Sequence, residues 1–344
     1  MTGSRSARPA VSVLLPCRNA ALWLEDCLAS LFAQSLSEFE LIAVDDGSTD
    51  GTLPLLQRTA RGDHRLRVLS GEGKGIVAAL NRAASEAGAP LLARMDADDV
   101  AHPDRLLAQV EFLASHTPVA ACGTAVRLFP ESILGSGYRR YETWLNGLVD
   151  GQDLLADLFV ECPIAHPTLV VRTSVFRALG GYRDLDWPED YDLVLRLHAA
   201  GMRAANLPRQ LLDWRVHPER HSLRSGHYTP QAFRRCKVHF LRTTFLPPGR
   251  PIVIWGAGKV GKPLARELLR QGTPVAAFVD LDPRKIGQEI HGAPVLAPSG
   301  FEVLTRDSDP YVLAAVGSPG AREDIREGLN AMGLIEIDDY RVCS

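Results

Sequence analysis

The stretch Ala93–Leu106, ARMDADDVAHPDRL, sets four aspartates, Asp96, Asp98, Asp99 and Asp104, directly after the apolar run PLLARM. That run reads as a buried strand. Like charges crowded at the end of a core strand repel one another and are costly to desolvate unless a cation or a proton compensates them. The stretch is therefore either a solvated turn that caps the next helix or a metal site. Residues two apart in extended chain point to the same side, so Asp96 and Asp98 can face one point. A hard divalent cation, Mg2+ or Mn2+, takes one or two protein carboxylates and fills its other positions with water and substrate phosphates.

Working outward, strand and helix patterns alternate. VSVLL (11–15) is a β-branched apolar run, and Leu24, Cys27, Leu28, Leu31 and Phe32 then recur at helical spacing. ELIAV (40–44) is a second strand, stopped by the turn cluster DDGSTDGT. RLRVLS is a third strand, GIVAALNRAASEAG a helix and PLLARM a fourth strand. Such alternation implies crossover units and a mostly parallel sheet covered by helices on both faces. In such sheets ligands bind outside the carboxyl ends of strands. PCRNA, DDGSTDGT and DADD all fall at such ends, so one crevice can gather them. Further on, VAACGTAVRLF, TLVVR and LLDWRV read as strands. PEDYDLVLRLHAAG reads as a helix entered through Pro188, with Glu189 and Asp190 in its first turn, where acids also suit the helix dipole.

The totals narrow the function. The chain has 344 residues, enough for two domains, with 46% apolar residues and a net charge of −3, which gives no sign of nucleic-acid binding. No run is long and apolar enough to span a membrane. MTGSRSARPA lacks the apolar segment of a secretory signal and reads as a disordered tail, residues 1–10. Six scattered cysteines without a C-x-x-C pair point to reduced thiols and a cytoplasmic address.

Taken in order, VSVLLPCRNAALWLEDCLASLFAQS, FELIAVDDGSTDGT, LNRA, ARMDADDVAHPDRL and PEDYDLVLRL resemble the family 2 glycosyltransferases of the GT-A fold, over roughly residues 10 to 225. The resemblance implies an inverting transfer of a sugar from a nucleotide-sugar donor, with a UDP-sugar the first expectation, to a hydroxyl of a glycan or other acceptor, in the making of cell-surface polysaccharide or glycoconjugate. It implies that Pro16, Arg18 and Asn19 border the nucleotide. Asp45 and Asp46 would contact base or ribose, and Lys74 the nucleotide or its phosphates. Asp96 and Asp98 would lie at the ribose and a Mn2+ or Mg2+ ion, with Asp99 in support. Asp190, beside Glu189, would be the general base, and His217 a candidate metal or diphosphate partner. His166, in CPIAHPT, is either a neighbour of the acceptor or part of a rigid turn.

A GT-A domain is thus expected over 11–228 and a helix with a Pro-rich linker over 229–250. In that helix Phe233, Cys236, Phe240, Leu241 and Phe245 share one face with basic residues elsewhere, a pattern that fits packing on a neighbour or peripheral contact with a membrane. Over 251–344 a smaller Rossmann-like α/β domain is expected. PIVIW runs into GAGKVG, a G-x-G-x-x-G match at Gly256, Gly258 and Gly261, and Asp280 ends the next strand in the place of a ribose-binding acid. Alone, that pattern supports a nicotinamide-dependent oxidoreductase as the competing function. The rest of this part is similar to the small N-terminal domain of sialic acid type sugar O-acyltransferases, which implies help in holding a nucleotide-sugar; a structural or acceptor-positioning role is the other reading.

Overall fold

The computed structural model describes residues 8–318 and 320–344; most of the N-terminal tail, residues 1–7, lies outside them. Chain contacts divide it into two units. The first holds the chain up to Gly151, Pro163–Leu185 and Asp192–Arg224; the second holds Gln152–Cys162, Asp186–Tyr191 and Ser225–Ser344.

In the first unit, eight strands among the described residues form one sheet: β1 (Val11–Cys17), β2 (Phe39–Asp45), β3 (Leu66–Ser70), β4 (Leu91–Arg94), β5 (Val100–Ala101), β6 (Val119–Phe129), β7 (Val170–Arg172) and β8 (Arg203–Arg215), in the order β3-β2-β1-β4-β7-β6-β8-β5. The first four are parallel, with Val13 opposite Leu41 and Ala93. β7 runs antiparallel to β4 and β6, and β5 antiparallel to β8, so the sheet is mixed. Helix Leu24–Phe32 buries Leu24, Cys27, Leu28 and Leu31, its three-and-four-spaced stripe, in the same core as Val11, Val13 and Leu15.

Two features of this sheet place the site. β1 lies between β2 and β4, so the winding reverses there and opens a crevice at the strands' carboxyl ends. The short β5, directly after the acidic turn, pairs Val100 with Asp213 and Ala101 with Leu212. That pairing brings the end of β8 against the acidic turn. The 13-residue β8 keeps its register with β6 through irregularities near Thr124–Val126, where Pro208 cannot donate to the ladder.

In the second unit the strands are β9 (Ile252–Trp255), β10 (Ala277–Val279), β11 (Glu289–Ile290), β12 (Ala293–Leu296), β13 (Tyr311–Ala314) and β14 (Tyr340–Val342), ordered β11-β12-β10-β9-β13-β14. All pairs are parallel except the β11–β12 hairpin. The glycine turn follows the central β9. Gly256 has φ +114°, and a Cβ on Gly261 would lie 1.8 Å from the Gly256 carbonyl oxygen. The third glycine thus lets helix Gly261–Arg270 pack tightly on the turn. Before this sheet, Cys236, Val238, Phe240 and Leu241 are buried and Phe245 meets Phe159 edge-on at 5.2 Å, so the apolar face read from the sequence is packed inside this unit.

Gly261→Ala must push the turn apart, at a cost of about 1–3 kcal/mol. Thermal unfolding should show a lower midpoint for the variant; an unchanged midpoint would mean that the turn gives way freely.

Candidate active site

The loops after β1 and β2 are tied to each other. Asn19 takes the left-handed conformation, φ 51°, which asparagine tolerates. Its Oδ1 accepts from the Thr49 amide at 2.8 Å, and its own amide donates to Ser48 Oγ at 3.0 Å. Asp45 accepts from the Ser48 amide at 3.3 Å. Asp46 accepts from the Gly75 amide at 2.8 Å and pairs with Arg18 at 3.5 Å. Both carboxylates are buried, and one oxygen of each, Asp45 Oδ1 and Asp46 Oδ1, has no hydrogen-bond partner among the described residues. Buried acceptors left open are costly. A ligand that brings donors, such as a base N–H or a ribose hydroxyl, would satisfy them. Lys74 does not join this group. Its side chain is 68% exposed and pairs with Glu72.

At the end of β4, Asp96, Asp98 and Asp99 each offer an oxygen, and these oxygens lie within 4.8 Å of one another. Asp96 pairs with Arg94, a buried guanidinium on the same strand. Asp98 Oδ2 is 2.7 Å from His217 Nε2. Asp99, 1% exposed, accepts from the Arg215 amide at 2.8 Å through Oδ1, while its Oδ2 has no partner among the described residues. Burial, opposed by Arg94, raises the Asp96 carboxyl above its ordinary value. Burial, then the charges of Asp98 and Asp96, push Asp99 well above it. For Asp98 burial acts the same way, but the His217 hydrogen bond and charge outweigh it and hold the carboxyl low. The cluster is thus short of positive charge, with one open oxygen inside it. Carboxylate oxygens with one imidazole are a donor set that could hold Mn2+ or Mg2+.

The surroundings brace this cluster. Arg215 Nε donates to the Asp98 carbonyl at 2.7 Å, and the guanidinium stacks over Phe129 at 4.5 Å. The fully buried Arg105, which burial pulls down to about 10, donates to the Arg94 carbonyl. The Trp23 ring lies 4.1 Å from that of His217. His166 is buried against the Tyr182 hydroxyl at 2.8 Å, and burial, then the Arg94 charge, drive its pKa well down, which favours the neutral imidazole. Arg94 and Trp23 were not singled out from the sequence. Arg94 had a signal, a lone charge in an apolar strand; Trp23 had none.

The remaining candidates belong to the second unit. Glu189 is 2% exposed, and both its oxygens lie within 2.8 Å of the Tyr228 hydroxyl. Asp190 is half-buried and accepts from the Tyr191 amide at 2.7 Å. At the glycine turn, Asp280 accepts from the Ala257 amide at 2.8 Å, from the Asp282 amide at 2.9 Å and from Lys285 Nζ at 2.9 Å.

A family profile described as Glycosyl transferase family 2 matches residues 12–180. The amylovoran biosynthesis glycosyltransferase AmsE of Erwinia amylovora is 30% identical over 204 residues, which are 59% of this chain and 74% of AmsE. The chain belongs to glycosyltransferase family 2. Among solved structures, S. aureus TarS 1-349 in complex with UDP-GlcNAc matches with a TM-score of 0.56 at 20% identity, over 76% of this chain and 72% of TarS. The mannosyltransferase PcManGT from Pyrobaculum calidifontis, in complex with GDP-Man and Mn2+, matches with a TM-score of 0.50 at 22% identity, over 68% of this chain and 62% of that one. Both likenesses bear out the GT-A fold. As a family 2 glycosyltransferase the protein is an enzyme, and no helix among its described residues is long and apolar enough to cross a membrane.

Arg94→Met leaves Asp96 without its guanidinium in a mostly buried setting. Breaking such a pair costs about 3 kcal/mol here, the low end because Asp96 keeps some water. Urea unfolding should therefore shift to lower concentration, and added Mn2+ should recover part of the loss by supplying the missing charge. Equal midpoints for the two proteins would contradict the assignment.

Proposed function

We propose that the protein is an inverting, metal-dependent glycosyltransferase that moves a sugar from a nucleotide-sugar, first of all a UDP-sugar, to an acceptor hydroxyl. The observation that carries this reading is the trio Asp96, Asp98 and Asp99 with His217, set at strand ends beside the winding reversal. Asp98 and His217 would hold a Mn2+ or Mg2+ ion, with Asp96 at the ribose side and Asp99 in support. A bound cation would neutralise the charge that grows on the departing diphosphate. Arg18, Asn19, Asp45 and Asp46 line the nucleotide, the two aspartates through their open oxygens.

Asp190 is the general base. It takes the acceptor hydroxyl's proton as that oxygen attacks the anomeric carbon from the face opposite the diphosphate. One C–O bond forms, the bond to the diphosphate breaks, and its electrons leave with the nucleotide. One step inverts the centre, and no covalent enzyme intermediate is needed. The half-exposure of Asp190 suits this role. Glu189, buried against Tyr228, suits support of its neighbour.

AmsE is named for amylovoran biosynthesis, TarS is seen with UDP-GlcNAc and PcManGT with GDP-Man and Mn2+, which supports an enzyme of polysaccharide or glycoconjugate assembly that uses a divalent ion; the scattered, buried cysteines support a cytoplasmic address. For the C-terminal sheet we favour a structural or acceptor-positioning role over nicotinamide binding. Asp280, the acid a dinucleotide ribose would need, is engaged by the Ala257 amide of the glycine turn and by the Asp282 amide and Lys285 of its own turn.

Thermal unfolding with UDP, GDP, dTDP, CMP or NADH, each with and without Mn2+, tests the donor site. A ligand at a hundred times its dissociation constant adds about 2.7 kcal/mol of stability. One nucleoside diphosphate should raise the midpoint only with Mn2+, and Asp98→Asn should remove that rise. A rise with NADH alone would overturn the reading. Asp190→Asn should abolish sugar transfer while leaving the Mn2+-dependent nucleotide shift intact; transfer near the wild-type rate would end its assignment as the base.

A further inference from the structure

The second unit is not made of the C-terminal residues alone. It also takes Asp186–Tyr191, which carries Glu189 and Asp190, and Gln152–Cys162. What holds Asp186–Tyr191 there is helix Pro230–Phe240 and the turn before it. Thr229 caps this helix by accepting from the Ala232 amide at 3.2 Å, and Pro230 occupies its first turn. That start fixes Tyr228 immediately outside the helix.

Every residue type in the arrangement has a task. Tyr228 shares its hydroxyl proton between the two oxygens of Glu189, at 2.8 and 2.7 Å. Phe233 packs on the Tyr191 ring at 5.8 Å and on Tyr228 at 6.3 Å. Arg235 donates to the Asp186 carbonyl at 2.7 Å, and His239 lies 5.3 Å from the Trp187 ring. The fully buried Tyr191 donates to the Leu158 carbonyl, and Lys237 Nζ donates to the Val160 carbonyl at 2.6 Å. Residues on both sides of Asp190 are thereby pinned, while Asp190 itself stays half-exposed.

We propose that Tyr228 and helix Pro230–Phe240 are the positioning device for the Glu189–Asp190 pair, so that the C-terminal unit takes part in catalysis by holding the base. The proposal rests on Asp190 being that base. Tyr228 is a positioning residue: it acts on Asp190 through Glu189. A carboxylate general base must sit within hydrogen-bond reach of the proton it removes, and small misplacements are expensive in rate.

The test uses the full-length chain and the rate of UDP release from UDP-GlcNAc and of GDP release from GDP-mannose, with Mn2+, where water serves as acceptor. Tyr228→Phe removes one hydroxyl and keeps the ring that Phe233 packs against. It should lower kcat about tenfold to a hundredfold while the donor KM stays within about twofold. Glu189→Gln should fall similarly, and the double variant should be no slower than the slower single one, because both act through one contact. Amide hydrogen exchange gives a readout that needs no substrate: Tyr228→Phe should speed exchange at residues 189–192 and leave residues 96–99 unchanged. Wild-type kcat in Tyr228→Phe overturns the proposal even if exchange quickens, because the contact is then only structural. Unchanged exchange also overturns it. If Asp190→Asn keeps its rate, the base assignment fails instead; if Asp190→Asn is dead and Tyr228→Phe is not slowed, the positioning device alone fails.

Discussion

Negative charge gathered at the end of β4 is the constraint on which the rest depends. Asp96, Asp98 and Asp99 crowd oxygens within 4.8 Å, and burial makes the charged form of each expensive. The fold answers with Arg94 on Asp96, His217 on Asp98 and the Arg215 amide on Asp99, and then stops one partner short, at Asp99 Oδ2. A fold selected for stability alone would have put apolar residues here. The missing compensation is positive charge, which a divalent cation would supply.

The sheet turns that local shortage into a site. Because β1 sits between β2 and β4, the loops carrying Arg18, Asn19, Asp45 and Asp46 share the crevice with the acidic turn. Because β5 pairs with β8, a histidine more than a hundred residues away arrives on Asp98. Asp45 and Asp46 repeat the motif of buried carboxylates with one open oxygen each, now suited to donors on a nucleotide rather than to an ion.

Much of this was legible in the sequence, and the reasons are physical. The first four strands are apolar, short and ended by turn formers, so periodicity and punctuation both mark them, and the parallel order followed from the intervening helices. The aspartates could be assigned to strand ends on the same basis. What could not be read was pairing between distant segments. LLDWRV gave the end of β8 but not its start at Arg203, because Pro208 interrupts the pattern and only the β6 ladder carries it through. Helix Ser136–Gly147 is mostly polar and exposed and left no clear stripe. Tyr228 meets Glu189 across 39 residues, a contact that sequence spacing does not reveal. Lys74, whose place in GEGKG suggested a phosphate, lies at the surface beside Glu72.

The central claim is that the acidic turn exists to hold a cation against a nucleotide. Anomalous diffraction at the manganese edge, from crystals grown with Mn2+ and UDP, tests it most directly. The account predicts a manganese peak bound by an Asp98 oxygen and His217 Nε2, next to the diphosphate. An ordered UDP with no manganese there, or a peak away from Asp98 and His217, would contradict it.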